Sequence, residues 1–145
     1  KPLIMSTGMS NLEQIEKAYN ILSQNSLAIL HSTSTYPCPP EELNLNMINT
    51  LKSIYPDNPI GYSGHESSLS TSIAAAVIGA KLIERHITID RALWGTDQAA
   101  SLGPEGMRKL IGSVNSVIAS LGDGVKKVYD SEQKSIQNLR PIDDT

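Results

Sequence analysis

The sequence predicts an α/β fold in which four consecutive βα units supply the strands of one parallel sheet. Four short apolar runs are each followed by turn residues and then by apolar residues at helical spacing. The units recur at intervals of roughly 25 to 30 residues, as expected for strands joined by right-handed helical crossovers. No GxGxxG pattern follows any run, so nothing favours a dinucleotide-binding sheet. From these patterns alone, a doubly wound sheet and a (β/α)8 barrel are both open.

The first two units each begin with a clear apolar run. Leu3 to Met5 precede the turn STGMS, after which Ser10 and Glu13 have the spacing of a capping box. The second run, Leu27 to Leu30, leads into HSTSTYPCPP, and Pro56 ends the helix that follows. The apolar faces of these two helices are Leu12, Ile15, Tyr19 and Leu22 in the first, and Leu45, Ile48, Leu51 and Tyr55 in the second.

The third and fourth units have equally distinct signals. NPIGYSGH predicts the third strand, with an Ala-rich helix near Leu69 to Ile78 and Gly79 as its C-cap. KLIERHITID predicts the fourth strand, and a longer loop leads to a helix opened by Pro104 and closed by Gly122. From Val125 onward the chain is polar and weakly periodic, which is typical of a linker or tail.

Composition narrows the class of protein. The chain has 145 residues, 39% of them apolar, and a formal net charge of -3, which suits one globular domain or a piece of a larger one. Without a basic stripe, nucleic acid is not expected as a partner. No apolar run approaches the ~18 residues that span a bilayer, and no signal peptide is evident, so we expect a cytoplasmic protein without a membrane partner. A single cysteine, Cys38, excludes an internal disulfide.

Polar side chains are expected on one face of the sheet near the carboxyl ends of the strands. Alternate residues of a strand face opposite sides, and the catalytic residues of barrels lie at this end. By this parity Ser63 shares a face with His65, and Glu84 shares a face with His86. The corresponding positions of the first two units are Ser6, Ser34 and Tyr36.

His65 and His86 end consecutive predicted strands, and this matched position suggests a metal site. A lone histidine at a strand end is more often structural, but two imidazoles from adjacent parallel strands can converge on one divalent cation. Two protein ligands leave positions open for water and substrate, which suits catalysis. A purely structural interpretation is also open for the loop that follows. In this alternative Asp97 is an ordinary loop residue and Trp94 only covers the sheet.

The segments GYSGH and ERHITIDRALWGTD, together with KPLIMSTGMS, LHSTSTYPCPPEELNL and SEQKS, resemble the C-terminal half of the barrel of sialic acid synthases. This N-acetylneuraminate synthase family includes the legionaminate and pseudaminate synthases. The resemblance implies that residues 1–124 are four βα units forming the C-terminal half of a (β/α)8 TIM barrel. It also implies that residues 125–145 are a linker toward an antifreeze-like domain, and that the chain is a fragment.

The resemblance implies a reaction as well. Such enzymes condense phosphoenolpyruvate with N-acetylmannosamine or its 6-phosphate, giving N-acetylneuraminate or its 9-phosphate and releasing phosphate. The expected cofactor is a divalent cation, Mn²⁺ first and Mg²⁺ or Co²⁺ as alternatives, and the expected assembly is a homodimer. Two other functions stay open: a related synthase for another keto sugar acid or an aldolase, and an inactive half-barrel that serves as an interaction module.

Carried onto this chain, the resemblance assigns roles to the residues at the strand ends. It implies that His65 and His86 bind the metal, and that Tyr36 and Asp97 face the amino sugar as catalytic residues. Ser6, Ser63 and, less directly, Ser34 match phosphoenolpyruvate contacts. Glu84 is expected to orient the ring of His86. The chain departs from common members at Ser32, Ser34, Gly64 and Gln98.

A half-barrel on its own is also predicted to expose surfaces that promote self-association. The outer edges of its first and fourth strands are unpaired, and a closed barrel has no such edges. Inward-facing apolar side chains that would fill the barrel, such as Ile4 and Leu30, are expected to lack cover. We therefore expect the isolated chain to be inactive and to aggregate or dimerise.

Overall fold

A computed structural model describes residues 1–140. Four strands form one parallel sheet in the order β1-β2-β3-β4. They are β1 (Leu3–Ser6), β2 (Leu27–Ser32), β3 (Ile60–Gly64) and β4 (Ile83–Arg85). The helices are α1 (Leu12–Leu22), α2 (Met47–Ile54), α3 (Ser70–Ile78), α4 (Pro104–Ser120) and α5 (Gln133–Leu139). A sheet whose spatial order follows chain order is that of a half-barrel, because doubly wound sheets reverse their order at a switch point.

The helices cover one face of the sheet and form the core there. Ile29 and Ile60 are Cα partners across β2 and β3, and both are almost fully buried. Tyr19 of α1 and Tyr55 after α2 pack with ring centroids 4.5 Å apart. This layer contains Ile15, Leu27, Ile29, Ile48, Leu51, Tyr55, Ile60, Tyr62 and Ala75. The helix-covered face holds the strands in place, and the helices leave the opposite face of the sheet without their cover.

The opposite face is only partly covered. Ile4 is 61% exposed, which agrees with the expectation for an inward-facing side chain of a half-barrel. The same expectation for Leu30 is wrong, since Leu30 is 1% exposed. Its side chain lies over Gly61, where an added Cβ would be 2.3 Å from Leu30 Cδ2. Glycine on the neighbouring strand therefore makes the space that buries Leu30.

The cap of α1 lies one residue later than predicted. Asn11, rather than Ser10, has extended backbone before the helix, and its Oδ1 accepts from the Gln14 N–H at 2.9 Å. Gln14 Oε1 accepts in return from the Asn11 N–H, also at 2.9 Å. Ser10 instead donates its hydroxyl to the Gly8 carbonyl. The capping box is thus Asn11 with Gln14, and Glu13 lies in the first turn without closing it.

Other boundaries follow the sequence signals more closely. Gly79 ends α3 in the left-handed region at φ 107°, as predicted, and Pro104 opens α4. The fourth strand is shorter than KLIERHITID suggested, because pairing with β3 stops at Arg85. Beyond it the chain pairs with the segment before α4, through an isolated bridge between Ile87 and Leu102.

The segment after α4 is not without structure. A 3₁₀ turn at Asp130–Glu132 runs into α5 within the stretch predicted to be a linker. The last part of that predicted tail, residues 141–145, lies outside the described residues. Among residues 1–140 we find no helix with the length and apolar character needed to cross a bilayer.

Candidate metal and substrate site at the carboxyl edge of the sheet

The two predicted metal ligands lie side by side. His65 follows the last residue of β3 and His86 follows the last residue of β4. Their ring centroids are 5.1 Å apart and the rings meet edge to face, at 83°. His65 is 5% exposed, whereas the side chain of His86 is about one-third exposed. The matched positions at the ends of consecutive strands therefore bring the two rings next to each other.

Hydrogen bonding determines which nitrogen of His65 is free. Its Nδ1 lies 2.7 Å from the Thr33 carbonyl oxygen. Because a carbonyl only accepts hydrogen bonds, Nδ1 carries the proton in the neutral ring and Nε2 keeps its lone pair. This arrangement, with one ring nitrogen donating to a backbone oxygen, is the usual support of a metal-binding histidine.

Asp97 lies beside the other histidine. Its Oδ2 is 3.6 Å from His86 Nδ1, a distance for electrostatic attraction rather than a direct hydrogen bond. The Thr96 hydroxyl donates to Asp97 Oδ1 at 2.9 Å. A carboxylate facing Nδ1 favours the proton on that nitrogen and leaves Nε2 of His86 as the free donor atom. Asp97 thus brings a negative charge to the histidine pair from the loop after β4.

Tyr36 completes the cluster from the loop after β2. Its ring centroid lies 4.2 Å from that of His65 and 5.6 Å from that of His86. The loop that carries it is tied to β3, since the Cys38 N–H donates to the His65 carbonyl at 3.0 Å. Tyr36 is 41% exposed, so part of its ring is open to a ligand.

Glu84 does not have the contact expected of it. The Ser63 hydroxyl donates to Glu84 Oε1 at 2.7 Å, and the carboxylate beside His86 is that of Asp97. Parity places Glu84 on the correct face, but its neighbour there is Ser63, its Cα partner across the β3–β4 ladder. Among the described contacts, the carboxylate that faces the His86 ring is therefore that of Asp97, not that of Glu84.

The three predicted phosphoenolpyruvate contacts are spread along this edge. Ser6 ends β1 and is exposed, while Ser63 lies in β3 and is 3% exposed. Ser34 lies against the loop after β1, because a Cβ at Gly8 would be only 2.2 Å from Ser34 Oγ. The structure thus places one hydroxyl group from each of the first three units at the same edge.

Sequence reasoning missed two contributors to the site. The Thr33 carbonyl supports His65, and a main-chain oxygen has no signature in the sequence. Ser32 is 6% exposed, and its Oγ has no hydrogen-bond partner among the described residues. Ser32 is the Cα partner of Ser63 across the sheet, and its alternation with Ser34 along the chain was the sequence signal that could have identified it.

Few protein groups at this edge of the sheet are available to ligate a cation. Within residues 1–140 no group of three or more His, Cys, Asp and Glu side chains is arranged to hold a metal ion. Two imidazoles with free Nε2 atoms remain, and a cation held by only these two protein ligands would keep positions open for water and substrate. A closed structural site would need more protein ligands than these.

Comparison with known proteins finds relatives that are legionaminic and sialic acid synthases. A model of the NeuB family matches residues 1–126. The N,N'-diacetyllegionaminic acid synthase of Campylobacter jejuni is 39% identical over 145 residues, covering 97% of this chain and 43% of that protein. Human N-acetylneuraminate-9-phosphate synthase is 38% identical over 141 residues, covering 96% of this chain and 39% of that protein.

Nearly the whole of this chain also superposes on part of a solved structure. The N-acetylneuraminic acid synthetase of Leptospira borgpetersenii superposes with a TM-score of 0.79 at 34% sequence identity. The match covers 98% of this chain and 50% of that protein chain. The present chain therefore spans about two-fifths to half the length of the relatives it matches.

Proposed function

Because the chain belongs to the NeuB family, we propose that it supplies the C-terminal half of the barrel of an enzyme that condenses phosphoenolpyruvate with an N-acylated amino sugar. N-Acetylmannosamine or its 6-phosphate is the proposed sugar, giving N-acetylneuraminate or its 9-phosphate plus phosphate. The observation that carries the proposal is the cluster of His65, His86, Tyr36 and Asp97 at one edge of the sheet. In this proposal residues 1–124 are the half-barrel and residues 125–145 lead toward an antifreeze-like domain.

His65 and His86 are the proposed metal ligands, each through its Nε2. Support comes from the 5.1 Å spacing of the rings and from the oxygen atoms that face both Nδ1 atoms. A divalent cation bound there, Mn²⁺ in the first instance and Mg²⁺ or Co²⁺ as alternatives, would polarise the aldehyde oxygen of the open-chain sugar. Asp97 keeps the His86 ring in the orientation that this binding needs.

The serine hydroxyls are the proposed phosphoenolpyruvate contacts. Ser6, Ser34 and Ser63 each offer a hydroxyl to phosphate or carboxylate oxygens, so the substrate is held without a covalent bond to the protein. The Ser63 proton is directed at Glu84, and binding an anion there requires this hydroxyl to turn away from the carboxylate. Ser6 is exposed and has no such competitor among the described residues.

We propose the following reaction at these positions. C3 of the enol attacks the aldehyde carbon of the sugar and forms the new C–C bond. Water then adds at C2, and the C2–O bond breaks to release phosphate. We propose that Asp97 and Tyr36 contact the sugar, where Asp97 accepts hydrogen bonds from its hydroxyls and the Tyr36 ring packs on its carbon atoms. This chemistry needs substrates positioned between groups on different units, as at the end of a barrel.

Identity alone does not choose between sialic and legionaminic acid, because the two relatives are 39% and 38% identical. We therefore propose an N-acylated hexosamine as the substrate class, with N-acetylmannosamine or its 6-phosphate as the first member to test, and the cytoplasm as the place of the reaction. An inactive interaction module is not favoured, since such a module has no need for two imidazoles with free nitrogens at a common edge.

The test is turnover by the natural polypeptide that carries this chain. It is incubated with Mn²⁺, N-acetylmannosamine or its 6-phosphate, and phosphoenolpyruvate labelled with ¹⁸O at the C2–O bridge. We expect phosphate release with the label in phosphate, together with loss of turnover in His86→Ala. His31→Gln, a change at the helix-covered face, is the control and should stay active. No phosphate release with either sugar, with every divalent cation tried, would contradict the proposal.

A further inference from the structure

A buried ion pair joins the residues next to the two histidines. Glu66 follows His65 in the chain, and Arg85 precedes His86. Arg85 Nη1 lies 3.1 Å from Glu66 Oε1, and the two side chains are only 1% and 3% exposed. Their position in the chain means that any shift of this pair moves both histidines.

The pair acts where the backbone ladder has already ended. The β3–β4 register stops at Gly64 and Arg85, so neither His65 nor Glu66 is held by strand pairing to β4. The Arg85 guanidinium replaces those bonds, since Nη2 donates to the Glu66 carbonyl and Nη1 donates to the Ser68 carbonyl at 3.0 Å. One side chain at the end of β4 therefore fixes the path of the segment that carries His65.

The glutamate is held equally firmly. The Tyr62 hydroxyl donates to Glu66 Oε2 at 2.8 Å, and the Ser72 hydroxyl donates to Oε1 at 2.7 Å. Burial raises the pKa of Tyr62, and the nearby Glu66 carboxylate adds to this effect, so the phenol keeps its proton and stays a donor. Both carboxylate oxygens are thus occupied, and the side chain has little freedom to move.

Gly64 is needed for the pair to form. A Cβ at this position would lie 2.5 Å from Glu66 Oε2 and 2.7 Å from Tyr62 Cε1. Any larger residue here must therefore displace the glutamate or the tyrosine. The glycine in GYSGH is explained by the space that the Glu66 side chain occupies.

We propose that Glu66 and Arg85 are positioning residues that set the separation of His65 and His86, and thereby the affinity of the site for a divalent cation. This inference rests on the proposed function. Buried ion pairs contribute little net stability compared with well-packed apolar residues, so a geometric role is the better reason for one here. Arginine suits that role because its planar fork fixes several acceptors at once, whereas a lysine offers only a point charge.

The test is Mn²⁺ affinity of the natural polypeptide that carries this chain, measured from the electron paramagnetic resonance of free Mn²⁺. Arg85→Lys keeps the charge and loses the fork, so we expect Kd to rise about tenfold or more, as for other groups that orient metal ligands. The phosphoenolpyruvate KM at saturating Mn²⁺ should change less than twofold. Arg108→Lys is the matched control, because Arg108 pairs with Glu105 on the exposed face of α4.

The outcomes separate the possibilities. A folded Arg85→Lys protein with unchanged Kd would overturn the positioning role while leaving the metal site intact. Failure of the unaltered protein to bind Mn²⁺, Mg²⁺ or Co²⁺ would overturn both this inference and the proposed metal site. If Arg85→Lys does not fold, Ser72→Ala and Tyr62→Phe each remove one donor to Glu66 and carry the test. A raised Kd in either variant supports the inference, and an unchanged Kd in both overturns it.

Discussion

At the scale of single residues, the contact between Asp97 and His86 gives a sharp expectation for mutagenesis. Asp97→Asn keeps the size of the side chain and removes the charge that faces His86 Nδ1 at 3.6 Å. We expect kcat to fall about 10- to 100-fold, the usual cost of losing a group that orients a metal ligand. The phosphoenolpyruvate KM should stay within about twofold, because the contact proposed for Asp97 is with the sugar.

The control for this variant is Asp57→Asn, a change at an exposed carboxylate in the turn after α2. Steady-state kinetics at saturating metal distinguish the two effects. If Asp97→Asn lost phosphoenolpyruvate affinity to the same extent as kcat, Asp97 would contact phosphoenolpyruvate and not the sugar, contrary to this prediction.

His31 provides an expectation about pH. It is 6% exposed, and its Nε2 lies 2.7 Å from the Leu43 carbonyl oxygen. Burial lowers the pKa of His31 below its ordinary value of 6.5, although the hydrogen bonds to the backbone oppose this. The unfolded chain then binds the proton more readily than the folded one. Above pH 6.5 His31 therefore costs no folding stability. As the pH falls through and below that value, the free energy of unfolding decreases, because protonation favours the unfolded chain.

We therefore expect His31→Gln to lose less stability than the unaltered protein between pH 7.5 and pH 5.5. The glutamine amide can still donate to the Leu43 carbonyl, while the titrating group is gone. Urea unfolding at the two pH values measures the difference in stability between the two proteins. Parallel losses of stability would show that His31 does not contribute to the pH dependence.

The neighbours of single residues could be predicted where strand alternation alone determines which side chains meet. Alternation along a strand was enough to bring His65 and His86 together, because adjacent parallel strands end at a common edge. Alternation could not choose between Glu84 and Asp97 as the carboxylate beside His86. That choice depends on the path of the twelve-residue segment from His86 to Asp97, which carries no periodic signal.

At the scale of elements, the start of α1 can be tested with two neighbouring substitutions. Asn11→Ala removes the side chain that caps the helix, so the free energy of unfolding should fall by about 1 kcal/mol. Ser10→Ala removes only a hydroxyl that bonds to the Gly8 carbonyl on the surface, and should change it by less than half as much. Urea denaturation of both variants gives the comparison. A larger loss in Ser10→Ala would restore Ser10 as the cap.

Element boundaries were predictable only where one residue type dominates the local energetics. Pro104 and Gly79 marked helix ends correctly because proline suits the first turn and glycine the left-handed C-cap. At α1 both Ser10 with Glu13 and Asn11 with Gln14 have the spacing of a capping box. The choice depends on which residue enters the helix from extended backbone, and this is Asn11, with ψ 171°.

At the scale of the whole molecule, the free strand edges predict self-association. β1 and β4 are the outer strands of the sheet, and Ile4 lies 61% exposed on its uncovered face. Beside β4, α3 and α4 border an apolar groove of about 440 Å³. We expect the 145-residue chain alone to sediment as a dimer or larger species and to release no phosphate from the two substrates.

Ile4→Lys is the informative variant, because a lysine on the open face opposes association without touching the helix-covered core. It should shift the sedimentation profile toward monomer, whereas Ile21→Lys, an exposed position on α1, should not. A monodisperse monomer with full activity in the unaltered chain would contradict the expected half-barrel liability.

The strand order also decides when the histidines meet during folding. Each strand pairs with the one just before it, through partners such as Leu3 with Leu27, Ile29 with Ile60, and Tyr62 with Ile83. Every pairing therefore closes a loop of only roughly 20 to 30 residues, and the strands can dock in the order in which a ribosome makes them. His65 and His86 come together only when β4 docks, which is the last of these steps. A cation that binds both rings would therefore not change the rates of the earlier docking steps. It would stabilise only β4 in its docked position.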